Sequence, residues 1–120
     1  MSHKVFVYGT LKAGFGNHRL LTNAKFLGDA KTPANYTMYS TGGFPAVIKQ
    51  GDTVITGEIY EVTDEEFKRL DSLEGYPSMY TREQIELQDS DETPWIYLWN
   101  YATDMPVVPD GVWKRDSRTW

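Results

Sequence analysis

The sequence predicts an α+β fold built on a curled or closed, mostly antiparallel sheet. Three observations carry this. Seven short runs have strand character, near 4–8, 25–29, 35–40, 45–49, 53–62, 79–88 and 94–101. One stretch alone has the full period and punctuation of a helix. The connections are short and rich in glycine, which suits antiparallel neighbours. Closing such a sheet removes the open strand edges that invite unwanted pairing.

Taken in order, Lys4-Val5-Phe6-Val7-Tyr8 is β-branched and aromatic and reads as the first strand, ended by Gly9. Thr10 to Gly16 reads as a loop, and Asn17 is placed to cap a short helix through Leu21. Gly42-Gly43 and Gln50-Gly51-Asp52 read as turns between the next strands. The clear helix runs over about 64–73. Thr63 and Glu66 have capping-box spacing, Phe67, Leu70 and Leu73 share one face, and Gly75 and Pro77 end it. The tail from Thr103 to Trp120 is expected to be irregular, since it holds Pro106, Pro109 and Gly111.

A chain of 120 residues is the length of one domain, and 1–120 is read as one. The net charge of −5 repels phosphate backbones, so no nucleic-acid partner is expected. There is no cysteine, which excludes disulfides and thiolate chemistry. No apolar run approaches the roughly 18 residues of a membrane span, and the start lacks a secretory leader, so the expected address is cytoplasmic, with no membrane partner. His3 and His18 form no ligand pattern, and neither metal nor cofactor is expected. Oligomerisation stays open.

Four features are candidates for chemistry. The loop Tyr8-Gly9-Thr10-Leu11-Lys12 can turn backbone amides toward an anion, although an ordinary strand-to-loop turn fits as well. It is no P-loop, because Phe15 and Gly16 stand where lysine and serine or threonine are required. Glu74 ends the helix, where the dipole disfavours a carboxylate. Asp71 lies one turn back, with Leu73, Tyr76 and Pro77 around it. Each raises a carboxylate pKa, and a solvated surface glutamate remains the plain alternative. Trp95, Tyr97, Trp99 and Tyr101 alternate onto one strand face, opposite Ile96 and Leu98; they suit a pocket wall or a core, and Tyr101 is best placed to reach a site. Arg82 is placed to bind a substrate carboxylate or, as a strand arginine more often does, to meet solvent or a nearby acid.

In this order the pieces resemble the gamma-glutamylcyclotransferase-like superfamily, closest to its gamma-glutamylamine cyclotransferase branch. Val5-Phe6-Val7-Tyr8-Gly9-Thr10-Leu11-Lys12, with Gly14, Asn17-His18 and Leu20-Leu21, is similar to the family's opening. Gly57 to Val62 resembles its central strand. Leu70-Asp71-Ser72-Leu73-Glu74-Gly75-Tyr76-Pro77, followed by Tyr80 and Arg82, resembles its catalytic segment, and Asp110-Gly111-Val112-Trp113 a common ending. The resemblance implies a small mixed, mostly antiparallel β-barrel with flanking helices. It implies Glu74 as general acid/base and a substrate cradle from Tyr8, Gly9, Thr10 and Leu11, to which Tyr80 and Tyr101 are added as candidate binding residues. Phe44, Pro45 and Tyr39 are candidate walls on the leaving-group side. The implied reaction releases 5-oxoproline from a gamma-glutamyl amine or gamma-glutamyl amino compound.

That chemistry suits this residue inventory. The substrate's own α-amine attacks its γ-carbonyl, so no protein nucleophile is needed. One carboxyl with a pKa near neutrality can take the ammonium proton and return it to the leaving amine. Two alternatives stand beside it: a non-catalytic small-acid-binding module on the same fold, and an oligonucleotide-binding barrel, which the acidic charge disfavours.

Overall fold

The computed structural model describes residues 2–9, 11–41, 44–88, 90–100 and 104–114. Among the described residues seven strands and one α-helix are formed: β1 (Ser2–Val7), β2 (Lys25–Lys31), β3 (Tyr36–Ser40), β4 (Pro45–Thr53), β5 (Thr56–Thr63), α1 (Asp64–Glu74), β6 (Tyr80–Gln84) and β7 (Trp95–Trp99). A 3-10 helix, Gly16–Leu21, follows the first loop. Five strands pair in the order β2-β5-β1-β7-β6, and β3 and β4 form a separate hairpin. All pairings are antiparallel except that of β1 with β7. This is the mixed, mostly antiparallel α+β architecture expected from the sequence; among the described residues no pairing joins the two sheets into a closed ring.

Strand alternation sorts side chains to the two faces of the large sheet. Phe6, Tyr8, Ile59, Ile96 and Leu98 join Tyr36, Met38 and Val47 of the hairpin in one cluster. Val5, Val7, Tyr60, Val62 and Tyr97 join Phe67 and Leu70 of α1 in the other. The helix therefore covers one face and the hairpin the other. The alternation read in β7 holds, with Trp95, Tyr97 and Trp99 on the helix side.

The start of α1 matches its sequence signature. The Glu66 amide donates to Thr63 Oγ1 (3.1 Å), and the Thr63 amide donates to Glu66 Oε1 (2.8 Å). At the other end Gly75 takes the left-handed conformation, φ 65°, as a glycine after a helix commonly does. Thr63→Ala is expected to lower the unfolding free energy by about 1 kcal/mol. The change should appear as a lower urea midpoint at unchanged slope. An unchanged midpoint would mean that tertiary packing alone fixes the start of α1.

Three local expectations are corrected. Gln50-Gly51-Asp52 is not the end of a strand but a bulge within β4: Tyr36 pairs with Thr53, while Thr37 already pairs with Ile48. Thr37 Oγ1 donates to the Gln50 carbonyl (2.7 Å), and Gly51 sits at φ 134°. A longer partner strand can be accommodated in this way without ending the ladder. The connection to β5 falls instead at Val54-Ile55. Asn17 does not cap its helix; Phe15 occupies the cap position with no side-chain bond, and the turn is 3-10. Leu73, which shares the helical spacing of Phe67 and Leu70, is not buried with them but 41% exposed.

The described part of the tail is irregular, as read, yet firmly packed. Val107 bridges Tyr39, Trp113 is 1% exposed inside the hairpin-side core, and Lys12 Nζ donates to the Trp113 carbonyl (2.7 Å). Gly42 and Gly43, read as the β3–β4 turn, lie outside the described residues.

Candidate active site

The end of β1, the start of β4, the end of α1 and the start of β6 converge on a cleft of about 220 Å³, somewhat smaller than most small-molecule sites. Tyr8, Gly9 and Leu11 line it from the first loop, Pro45 from β4, Glu74 from α1, Tyr80 from β6 and Tyr97 from β7. The structure thus gathers five of the seven residues singled out for the site. Thr10 and Tyr101 lie outside the described residues.

The loop is held from behind. The Lys12 amide donates to the Gly9 carbonyl (3.0 Å), and the Ala13 amide donates to Glu58 Oε1 (3.0 Å). Glu58 Oε1 also accepts from Tyr60 OH (2.9 Å), and His18 Nδ1 donates to the Leu11 carbonyl (2.9 Å). Among the described residues the amides of Gly9 and Leu11 have no acceptor. Unpaired amides beside a cleft are donors for a bound anion. Gly9 is there for space: a Cβ on it would stand 2.7 Å from Pro45 Cγ and 2.9 Å from Pro45 Cδ.

Among the described residues three tyrosines line the cleft, and each hydroxyl donates to another group of the protein. Tyr8 donates to the Tyr97 carbonyl (2.6 Å), Tyr80 to the Pro45 carbonyl (2.8 Å) and Tyr97 to Asp71 Oδ1 (2.7 Å). Burial raises all three phenol pKa values, so the hydroxyls keep their protons.

Glu74 lines the same cleft. As a whole residue it keeps partial exposure, but its carboxyl is desolvated by the cleft walls, which pushes its pKa up from 4.5 to about 7. Burial is the one cause. Asp71, which the sequence reads as a repelling neighbour, is paired instead with Arg82, whose Nε and Nη2 donate to its two oxygens at 2.9 and 3.1 Å. Arg82 in turn lies over the rings of Phe67, Tyr76 and Trp95, at 4.3, 4.4 and 4.7 Å from their centroids. Of the readings the sequence leaves open for it, a ligand carboxylate, solvent or a nearby acid, the last one holds. Tyr39 is not among the described residues that line the cleft, while Phe44 and Pro45 are. Leu73 and Met79 line it too, and neither was singled out as a wall. Their signal was adjacency, to Glu74 and to Tyr80.

A carboxyl near neutrality beside unpaired amides, with no cation in the described lining, can shuttle a proton on a small anionic ligand. Comparison with known proteins bears on which ligand. Residues 5–115 match the family model described as gamma-glutamyl cyclotransferase, AIG2-like. The chain is 33% identical over 117 residues to the gamma-glutamylcyclotransferase family protein YtfP of Escherichia coli K12, covering 98% of this chain and 95% of that one. Its fold is similar to that of an uncharacterized protein from Pyrococcus horikoshii, with TM-score 0.80 and 26% identity over 92% of this chain and 88% of the other. It is likewise similar to an AIG2-like protein from Mus musculus, with TM-score 0.75 and 29% identity over 88% and 85%.

Proposed function

The chain belongs to the gamma-glutamyl cyclotransferase, AIG2-like family, and from that premise we propose that it releases 5-oxoproline from a gamma-glutamyl amine or gamma-glutamyl amino compound with Glu74 as general acid/base. The observation that supports this most is the desolvated Glu74 carboxyl, which shares one cleft with the unpaired Gly9 and Leu11 amides.

The described lining holds no cation, so the substrate's α-carboxylate takes the loop amides. In this pose the glutamyl head lies on the loop and its γ-carbonyl toward Glu74. The ionised Glu74 carboxylate accepts a proton from the α-ammonium. The freed amine attacks the γ-carbonyl carbon, and a five-membered ring closes. Protonated Glu74 then donates to the amide nitrogen, the original γ-carbonyl C–N bond breaks, and 5-oxoproline and a free amine result. Ring closure within one bound molecule gains from high effective molarity, which fits a site with few catalytic groups. A pKa near 7 suits a group that must both take and give the proton.

The direct test is 5-oxoproline release from gamma-glutamyl amines and gamma-glutamyl amino acids. No product from any of them, together with tight binding of 5-oxoproline, would favour the non-catalytic binding module instead. The pH profile adds a second test. Because the free enzyme must start with Glu74 ionised, kcat/KM is expected to fall as pH drops through about 7. An acidic limb near pH 4.5 would show a solvated carboxyl and remove the burial argument.

A further inference from the structure

Among the described residues Glu74 shares its cleft with three phenols and accepts a hydrogen bond from none of them. Tyr8 of the first loop, Tyr80 of β6 and Tyr97 of β7 all feel the charge of its carboxyl. The described lining holds no lysine, arginine or histidine, and no described residue donates to Glu74. A phenol donating to a carboxylate stabilises the ionised form and lowers the carboxyl's pKa. Each hydroxyl is kept from doing so by an acceptor elsewhere. For Tyr8 and Tyr80 the acceptors are main-chain carbonyls of strand residues, Tyr97 and Pro45. For Tyr97 the acceptor is a side chain, Asp71 Oδ1, which must itself be held.

Asp71 is held at both its main chain and its side chain. Its carbonyl accepts from the Tyr76 amide (2.9 Å), and its carboxylate is forked by Arg82 Nε and Nη2. The guanidinium is fixed in turn against the rings of Phe67, Tyr76 and Trp95. The side chains of Arg82 and Asp71 are only 17% and 20% exposed. Asp71 Oδ1 therefore receives two donors, Arg82 Nε and Tyr97 OH. Neither Asp71 nor Arg82 is among the described lining residues. They reach the cleft through the Tyr97 hydroxyl.

We infer that the Arg82–Asp71 pair is a positioning device that holds the Tyr97 hydroxyl away from Glu74 and so keeps that carboxyl without a hydrogen-bond donor. The inference rests on the general acid/base reading above. Glu74 must return its proton as well as take it, and a donor on the ionised form would weaken it as an acid. A buried hydroxyl that loses its acceptor needs another. Tyr97 is 3% exposed, and Glu74 is the one carboxylate in the described lining.

The test titrates the Glu74 carboxyl by carbon NMR in glutamate-labelled protein, with the signal identified by its loss in Glu74→Gln. The pH profile of kcat/KM is recorded beside it. Both charges of the pair are removed together, because an unpaired guanidinium would itself lower the midpoint. With Asp71→Asn and Arg82→Gln the new amide oxygen still accepts from Tyr97, and the midpoint should stay at the wild-type value. With Asp71→Ala and Arg82→Gln the hydroxyl is released, and the midpoint and the acidic limb should fall by about one to two pH units. Adding Tyr97→Phe to that variant should return both to the wild-type value. A midpoint that does not fall, or a fall that Tyr97→Phe leaves in place, would overturn the inference. If the alanine variant does not fold, Tyr97→Phe alone decides. An unmoved midpoint then supports the inference, and a rise would show that the hydroxyl already serves Glu74 and overturn it. If no gamma-glutamyl compound yields 5-oxoproline, the catalytic reading fails on its own. The carboxyl titration then gives the same answers on Asp71 and Arg82 without turnover.

Discussion

Glu74→Gln is expected to fold as the wild type does and to release 5-oxoproline about 10²–10⁴-fold more slowly, the usual weight of a general acid/base. The amide is nearly isosteric with the carboxyl but neither takes the α-ammonium proton nor returns one to the leaving amine. The same substitution should reveal what the site costs the fold. The folded-state pKa of about 7 lies above the ordinary 4.5, so the folded protein holds a proton that the unfolded chain has lost between those values. Stability contributed by this group is therefore present in full below pH 4.5 and declines as pH rises through 7. Above that window the deficit is on the order of 3 kcal/mol. Glu74→Gln, which has no charge to desolvate, should gain stability relative to wild type between pH 4 and pH 8. Thermal melts at the two ends of that range check it. Unchanged turnover in the variant would take Glu74 out of the mechanism. A stability difference that ignores pH would show that the carboxyl is solvated.

How far the sequence foretold this site depends on the range of the interactions involved. The helix carrying Glu74 was legible because its signals are local: Thr63 and Glu66 three residues apart, and Gly75 just past the end. The sidedness of β7 was legible because strand alternation is a local geometric rule. The raised pKa of Glu74 was read in the right direction but for partly wrong reasons. Asp71 reads as a repelling neighbour, but it is paired with Arg82 of β6, and the sequence offers Arg82 a nearby acid without saying which one. The bulge in β4 was missed for a related cause. Gln50-Gly51-Asp52 has turn composition, and only the register with β3 reveals that the strand continues. Leu73 shows the limit of helical periodicity, since it keeps the spacing of Phe67 and Leu70, which are buried, and is itself 41% exposed. The shape of the cleft, with Phe44, Leu73 and Met79 in its lining, arises from four segments meeting at one point, which no window along the chain contains.

Gly9→Val should abolish most activity through geometry alone. Gly9 is not required for a left-handed backbone, as Gly75 is; what it provides is room. Any Cβ at this position would stand within 2.9 Å of the Pro45 ring, closer than real side-chain contacts allow. The ring cannot swing aside as a flexible side chain would, and the Pro45 carbonyl is held by Tyr80 OH at 2.8 Å. The strain must be relieved by moving the loop, which carries the Gly9 and Leu11 amides, or the hairpin, which carries Phe44. A shift of about 1 Å in groups that orient the substrate is worth roughly 10²-fold in rate, and the larger valine should cost more than alanine. Overpacking of this kind costs about 1–3 kcal/mol of stability, so circular dichroism and an unfolding curve accompany the kinetics. The decisive comparison is Gly9→Ala with and without Pro45→Ala. Removing Cγ and Cδ of the ring relieves the contact that the new Cβ makes, so the double variant should recover activity that the Gly9→Ala single variant lacks. Gly9→Ala with wild-type kcat/KM would show that the loop is a turn and not a cradle. A double variant no better than the single one would place the role of Gly9 in its backbone rather than in the space beside Pro45.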